Sequence, residues 1–169
     1  ADVAAGGGSS SPLQLVPAGN SLFFTAVEPS VGRELWVTNG GLGNFNLVSN
    51  FNSTAADSAI GEMVAMGDYV YMPVAGVLGG IELWRANSAG ATQVDDINAL
   101  GDSSPQYLTA VGHWLYFTAN DGINGRELWR SDGVPGGTTE LVGDINATGS
   151  CTRALAAVYQ ATVPWCSVI

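Results

Sequence analysis

Short apolar runs recur along the whole chain, and turn-forming residues break almost every one of them. The pattern is clearest between residues 106 and 145. Gln106–Val111, Trp114–Ala119, Arg126–Ser131 and Thr139–Ile145 are rich in β-branched and aromatic residues. Gly112, then Asn120-Asp121-Gly122, then Asp132-Gly133 with Pro135-Gly136-Gly137, separate them. This punctuation predicts four short antiparallel strands joined by tight turns.

The same pattern occurs three times. Glu34-Leu35-Trp36, Glu82-Leu83-Trp84 and Glu127-Leu128-Trp129 recur 48 and 45 residues apart. Gly19, Gly67 and Gly112 each lie 15 residues before the Glu of their own unit. Phe23-Phe24, Tyr71-Met72 and Tyr116-Phe117 follow those glycines at one fixed offset. Three registers kept in step mark a repeat protein. The middle copy departs most, with Ile81 where the others have Arg and Pro73 where they have Thr. A fourth copy begins at Ser150-Cys151-Thr152, which aligns with Ser103-Ser104-Pro105, but the chain stops before another Glu-Leu-Trp.

Four antiparallel strands in about 45 residues is the size of one propeller blade. The expected architecture is therefore all-β: a β-propeller-like array of four-stranded antiparallel blades, three full units plus a half unit. The units fall at about 12–57, 58–102 and 103–149, with the half unit at 150–169, all in one domain spanning 12–169. Residues 1–11, with Gly6-Gly7-Gly8-Ser9-Ser10-Ser11, read as a flexible Gly/Ser-rich arm. Strand alternation places Leu35, Leu83 and Leu128 on one face of their strands. Each flanking Glu and Trp falls on the other, a seam between blades, with Arg126 or Arg130 as the expected partner of the carboxylate.

Composition narrows the function. The chain has 169 residues, 46% of them hydrophobic, enough for a packed core. All five basic residues are arginine and they are scattered, against 15 acids and a net charge of −10. That excludes a clustered basic surface for nucleic acid. No apolar span approaches the roughly 20 residues of a transmembrane helix. Cys151 and Cys166 are expected to form a disulfide, which would close the terminal hairpin and contribute about 3 kcal/mol. Such a bridge implies an oxidising compartment, hence a secreted or cell-surface protein. The start, Ala1-Asp2-Val3-Ala4-Ala5, fits either a terminus left by signal cleavage or a boundary within a longer protein.

Catalytic chemistry finds little support. His113 is the single His, and there is no Lys. Glu34, Glu82 and Glu127 recur in every unit, whereas an active site needs unrepeated groups. Asn120-Asp121-Gly122-Ile123-Asn124-Gly125 and Asp95-Asp96 with Asn98 do not follow the spacing of a calcium loop, and turn chemistry explains both. No enzyme, metal or cofactor is expected. Asn52-Ser53-Thr54 and Asn146-Ala147-Thr148 fit the N-linked acceptor rule, so Asn52 and Asn146 are candidate glycosylation sites.

The segment Gly125-Arg126-Glu127-Leu128-Trp129-Arg130-Ser131-Asp132-Gly133, followed by Leu141-Val142-Gly143-Asp144-Ile145, resembles the ELWxxDGT (hyalin-like) repeat of secreted bacterial proteins. The first two copies replace the Asp-Gly-Thr part with Asn39-Gly40-Gly41 and Asn87-Ser88-Ala89. The resemblance covers nearly everything after about residue 11. It implies propeller-like proteins exposed at the cell surface, with no defined catalytic activity.

Three and a half blades leave open ends, because propellers use about four to eight. The chain would form a seven-blade ring from two copies, polymerise, close irregularly, or belong to a larger array. Open strand edges pair with other chains, and polymerisation is the expectation favoured here. The function read from sequence is a non-enzymatic extracellular structural protein that self-assembles into a filament, sheath or surface layer, with glycans as possible covalent partners. The alternative is a carbohydrate- or protein-binding propeller module. Exposed repeat tryptophans would favour that alternative and buried ones would count against it.

Overall fold

The computed structural model describes residues 3–4, 6–76 and 80–145. They form three four-stranded antiparallel sheets, with no helix among the described residues. The first sheet contains β1 (Leu13–Ala18), β2 (Ser21–Glu28), β3 (Gly32–Thr38) and β4 (Phe45–Ser49). The second contains β5 (Val64–Met66), β6 (Tyr69–Ala75), β7 (Ile81–Asn87) and β8 (Gly90–Asp95). The third contains β9 (Gln106–Val111), β10 (Trp114–Asn120), β11 (Arg126–Ser131) and β12 (Thr139–Gly143). Each sheet is a simple meander in chain order.

The repeated glycines close the first hairpin of each sheet. Gly19, Gly67 and Gly112 have φ of 54°, 63° and 61° and sit in two-residue turns between paired strands. A left-handed first turn residue matches the twist of the strands it joins, and glycine takes that conformation without steric cost.

Two apolar clusters join the sheets. The first combines Phe23, Leu35 and Val37 of the first sheet with Val70, Met72 and Val74 of the second. The second combines Tyr71, Leu83 and Val94 of the second sheet with Leu115, Phe117 and Ala119 of the third. Neighbouring residues on β6 therefore face opposite seams, as strand alternation requires. The middle sheet is covered on both faces, and burial of both apolar faces is the main stabilising term.

The divergent middle copy has a local consequence. β5 spans three residues, where β1 and β9 span six. Ahead of it, Ile60 makes an isolated bridge to Val74, and the Gly61 N–H donates to the Pro73 carbonyl at 2.8 Å. Pro73 has no N–H to give and its ring lies against Gly61, so the regular ladder is interrupted there.

Candidate functional site

The repeat glutamates are built into the junctions between units. Glu34 and Glu82 are essentially inaccessible to solvent, and Glu127 is 8% exposed. Glu34 accepts the Phe51 N–H at 3.2 Å and the Ser58 hydroxyl at 2.6 Å. Glu82 accepts the Ile97 N–H at 3.2 Å, the Ser103 N–H at 2.8 Å and the Ser103 hydroxyl. Glu127 accepts the Ile145 N–H at 3.1 Å. A buried carboxylate is tolerable only when its oxygens are hydrogen-bonded, and the loop leaving the fourth strand supplies those donors.

Ser58 and Ser103 belong to the unit that follows, so Glu34 and Glu82 each hold the next unit in place. The residue before each serine completes the junction. Asp57 accepts the Arg33 N–H at 2.7 Å, and Asp102 accepts the Ile81 N–H at 2.9 Å. The chain returns tightly enough that Gly32 faces the Ala56 carbonyl and Gly80 faces the Gly101 carbonyl. With φ of 80° and 70°, both positions also need glycine for backbone reasons. Burial pushes the Glu34 and Glu82 carboxyls above their ordinary value, against the lowering effect of the serine and backbone hydrogen bonds.

The arginines expected to pair with these glutamates do something else. The Arg126 guanidinium donates to the Ser104 carbonyl at 2.8 Å, and Arg33 donates to the Ser11 carbonyl at 3.0 Å. Both tie the start of a first strand to the third strand of the same unit. Arg130 pairs with Glu140, its Nε 2.7 Å from the carboxylate, and stacks over Trp114 at 4.3 Å. The seam carboxylates are thus satisfied by neutral donors from backbone and serine.

Trp84 and Trp129 are seam residues, whereas Trp36 lies on the face of the first sheet turned away from the second. Trp84 packs against the first cluster and Trp129 against the second. Phe51 meets Trp84 edge to face, centroids 5.4 Å apart at 86°. Trp36 is 8% exposed, lies 6.0 Å from Phe45 and donates its indole N–H to the Ala26 carbonyl at 3.2 Å. Leu35 and Leu83 are fully buried on the opposite faces of their strands, and Leu128 is half-buried.

Asn52 clasps the loop between the first two units. Its amide nitrogen donates to the Ala56 carbonyl at 2.5 Å and its oxygen accepts the Thr54 N–H at 2.8 Å. Asn98 does the same one unit on, donating to the Asp102 carbonyl at 3.2 Å and accepting the Leu100 N–H at 3.3 Å. Asn146, Cys151 and Cys166 lie outside the described residues. Asp121 caps its own turn, accepting from Ile123 and Asn124. Burial alone would raise its carboxyl, but these bonds outweigh it and hold it low. At the other end of the proposed N-terminal arm, the Ser10 carbonyl accepts the Val27 N–H at 2.8 Å. Together with the Arg33 bond to Ser11, this fastens the arm's last two residues to the first sheet.

Asp57-Ser58 and Asp102-Ser103 are the functional residues that reading by motif passed over. Their signal was an Asp-Ser pair at the same boundary in two units. A groove of about 510 Å³ lies between the second and third sheets, lined in part by Ile60, Glu62, Pro73, Pro105 and Tyr107. No family model, curated protein or solved structure matches the chain.

Proposed function

We propose that the chain is a non-enzymatic, extracellular structural protein that assembles with copies of itself by continuing its own blade stack. The observation that carries this reading is the repeated junction. The same Glu–Ser fastening and the same opposed Leu and Trp faces join units one to two and two to three. Among the described residues, the first and third sheets each have one face that no other sheet covers. Repeat stacks of this kind grow by adding like units, which supports association between copies. The β-propeller-like arrangement and the secreted location belong to the same proposal and rest on the repeat and its resemblance. Placement of Trp84 and Trp129 in the seams supports a scaffold role over a ligand-binding face. The repeat glutamates are engaged structurally, which supports the non-enzymatic reading.

Sedimentation velocity over a wide concentration range tests the proposal. Weight-average mass should climb through successive multiples of the chain. A single mass of one chain at every concentration would overturn it.

The groove beside Tyr107 favours a second reading, a binding module. Tyr107 is 76% exposed at the groove wall, and an accessible tyrosine beside Glu62 suits a carbohydrate. Titration with a glycan array, with Tyr107→Ala as the control, checks it.

A further inference from the structure

The second and third units build the same arginine platform but finish it differently. Tyr69 and Trp114 are the first residues of β6 and β10. Arg85 and Arg130 lie at matching positions of β7 and β11, opposite Tyr71 and Tyr116. Each guanidinium carbon stands 4.3 Å from the centre of its ring, Arg85 over Tyr69 and Arg130 over Trp114. Across to the fourth strand, Arg130 faces Glu140 and pairs with its carboxylate through Nε and Nη2. Arg85 faces Thr92 at the corresponding place. The first unit has neither part, with Val37 at the arginine position and Ser21 at the ring position.

Where the third unit has its carboxylate, the second unit has a cavity. A pocket of about 270 Å³ is lined by Tyr69, Arg85 and Thr92, with Asn87 and Gly90 beside them. Arg85 is held in it from two sides, since its Nη1 also donates to the Gly133 carbonyl of the third unit at 3.0 Å. Asn87 holds the Ala89 N–H with its amide oxygen at 2.9 Å, which leaves its amide nitrogen as a donor. Two acids neighbour the platform in sequence, Asp68 beside Tyr69 and Asp132 beside Gly133. The Asp68 carboxylate lies against Gly19 of the first unit, and the Asp132 oxygens accept the Val134 and Thr138 N–H groups. No described carboxylate pairs with Arg85. Outside the described residues the sequence holds one acidic side chain, Asp2.

We infer that the pocket beside Arg85 binds the carboxylate of a small external ligand, in the place that Glu140 fills in the third unit. The molecule itself shows the chemistry: the same stacked guanidinium, one unit on, takes a carboxylate from the fourth strand. A guanidinium presents a planar fork that matches a carboxylate, and stacking on Tyr69 fixes the fork before the ligand arrives. Thr92 supplies a hydroxyl where Glu140 supplies an acid, so the ligand must bring the negative charge. The volume lies just under the roughly 300 Å³ at which small-molecule pockets begin, so one sugar ring or one amino acid is the largest occupant. An acidic sugar and an acidic amino acid both carry the group. The net charge of −10 repels any anion at long range, which sets the expected affinity at about 1 mM. Neither self-assembly nor the groove beside Tyr107 bears on this pocket, whose lining is separate.

Nitrogen-15 NMR of the full chain tests this through the Arg85 Nε–H signal, assigned by its loss in Arg85→Lys. The chain is titrated separately with D-galacturonate, N-acetylglutamate, D-galactose and inorganic phosphate. At least one of the two carboxylates should shift the signal saturably, and the tighter one names the source of the group. Galactose should leave the signal in place. Thr92→Glu copies the Arg130–Glu140 pair into the second unit, so it should weaken carboxylate binding about tenfold or more without lowering the thermal midpoint. That variant keeps the test decisive even where a change at Arg85 disturbs its bond to Gly133. Silence toward both carboxylates would overturn the inference. So would phosphate or galactose binding as tightly as the carboxylates, or a Thr92→Glu chain that binds as well as the parent. Binding gained only in Asp2→Asn would assign the pocket to the chain's own Asp2 and overturn the external ligand.

Discussion

The Ser58 hydroxyl donates to the Glu34 carboxylate at 2.6 Å, so the first residue of one unit is bonded to the third strand of the unit before it. Ser103 and Glu82 repeat the relationship one unit on, with the Ser103 N–H added at 2.8 Å. Removing the Glu82 carboxylate strands the Ile97 and Ser103 donors inside the junction. Glu82→Ala is expected to cost about 3 kcal/mol, and Glu82→Gln about 1 kcal/mol because an acceptor remains. Glu127→Ala should cost less than Glu82→Ala. Urea unfolding of the three variants checks the order.

Stability should depend on pH in an unusual direction. The Glu34 and Glu82 carboxyls are raised by burial from an ordinary value of 4.5, so the folded chain holds their protons more tightly than the unfolded chain. Their contribution is full below that ordinary value and is lost as pH rises through the raised folded values. Asp121, held below 3.8, acts oppositely: its contribution is present above that value and lost as pH falls through the lowered one. The thermal midpoint should therefore fall as pH rises from the ordinary carboxylate value of 4.5 toward neutrality. Glu34→Gln with Glu82→Gln should flatten that slope. A midpoint that rises over this window in the parent chain would contradict the assignment.

Asn52 uses the nitrogen that an N-linked sugar would occupy. That nitrogen donates to the Ala56 carbonyl at 2.5 Å, and Asn98 makes the matching bond without being in an acceptor sequence. Glycosylation at Asn52 must then precede closure of the loop. An oligosaccharyltransferase should modify the unfolded chain readily and the folded chain slowly, with rates compared by mass spectrometry. Asn52→Ala and Asn98→Ala should each lose about 1 kcal/mol.

Gly80 and Gly125 share a left-handed backbone but differ in surroundings. The Gly101 carbonyl stands 2.5 Å from a Cβ built on Gly80, and no described atom approaches Gly125. Alanine at either position incurs about 1–2 kcal/mol for its conformation. Gly80→Ala must also displace the incoming backbone, so it should lower the thermal midpoint clearly more than Gly125→Ala in the unassembled chain.

Much of the fold was legible because the repeat multiplies each signal. The strands read as Gln106–Val111, Trp114–Ala119 and Arg126–Ser131 differ from the observed ones by a single residue, at Asn120. The fourth ends at Gly143, before Ile145, because Leu128 to Trp129 spans a bulge and the chain then turns to bring the Ile145 N–H to Glu127. Alternation also placed Leu83 and Trp84 on opposite seams. The partners of the glutamates were not legible. An Arg in the same motif suggests an ion pair, but the donors are backbone N–H groups 15 to 18 residues onward. Backbone donors leave no mark in side-chain identity, and only the serines at the unit boundaries carried a readable trace.

Electron microscopy of the unfractionated protein tests the central claim most directly. The account predicts regular extended assemblies whose repeat is a single chain. Dispersed single particles, or two-fold dimers that do not extend, would contradict it.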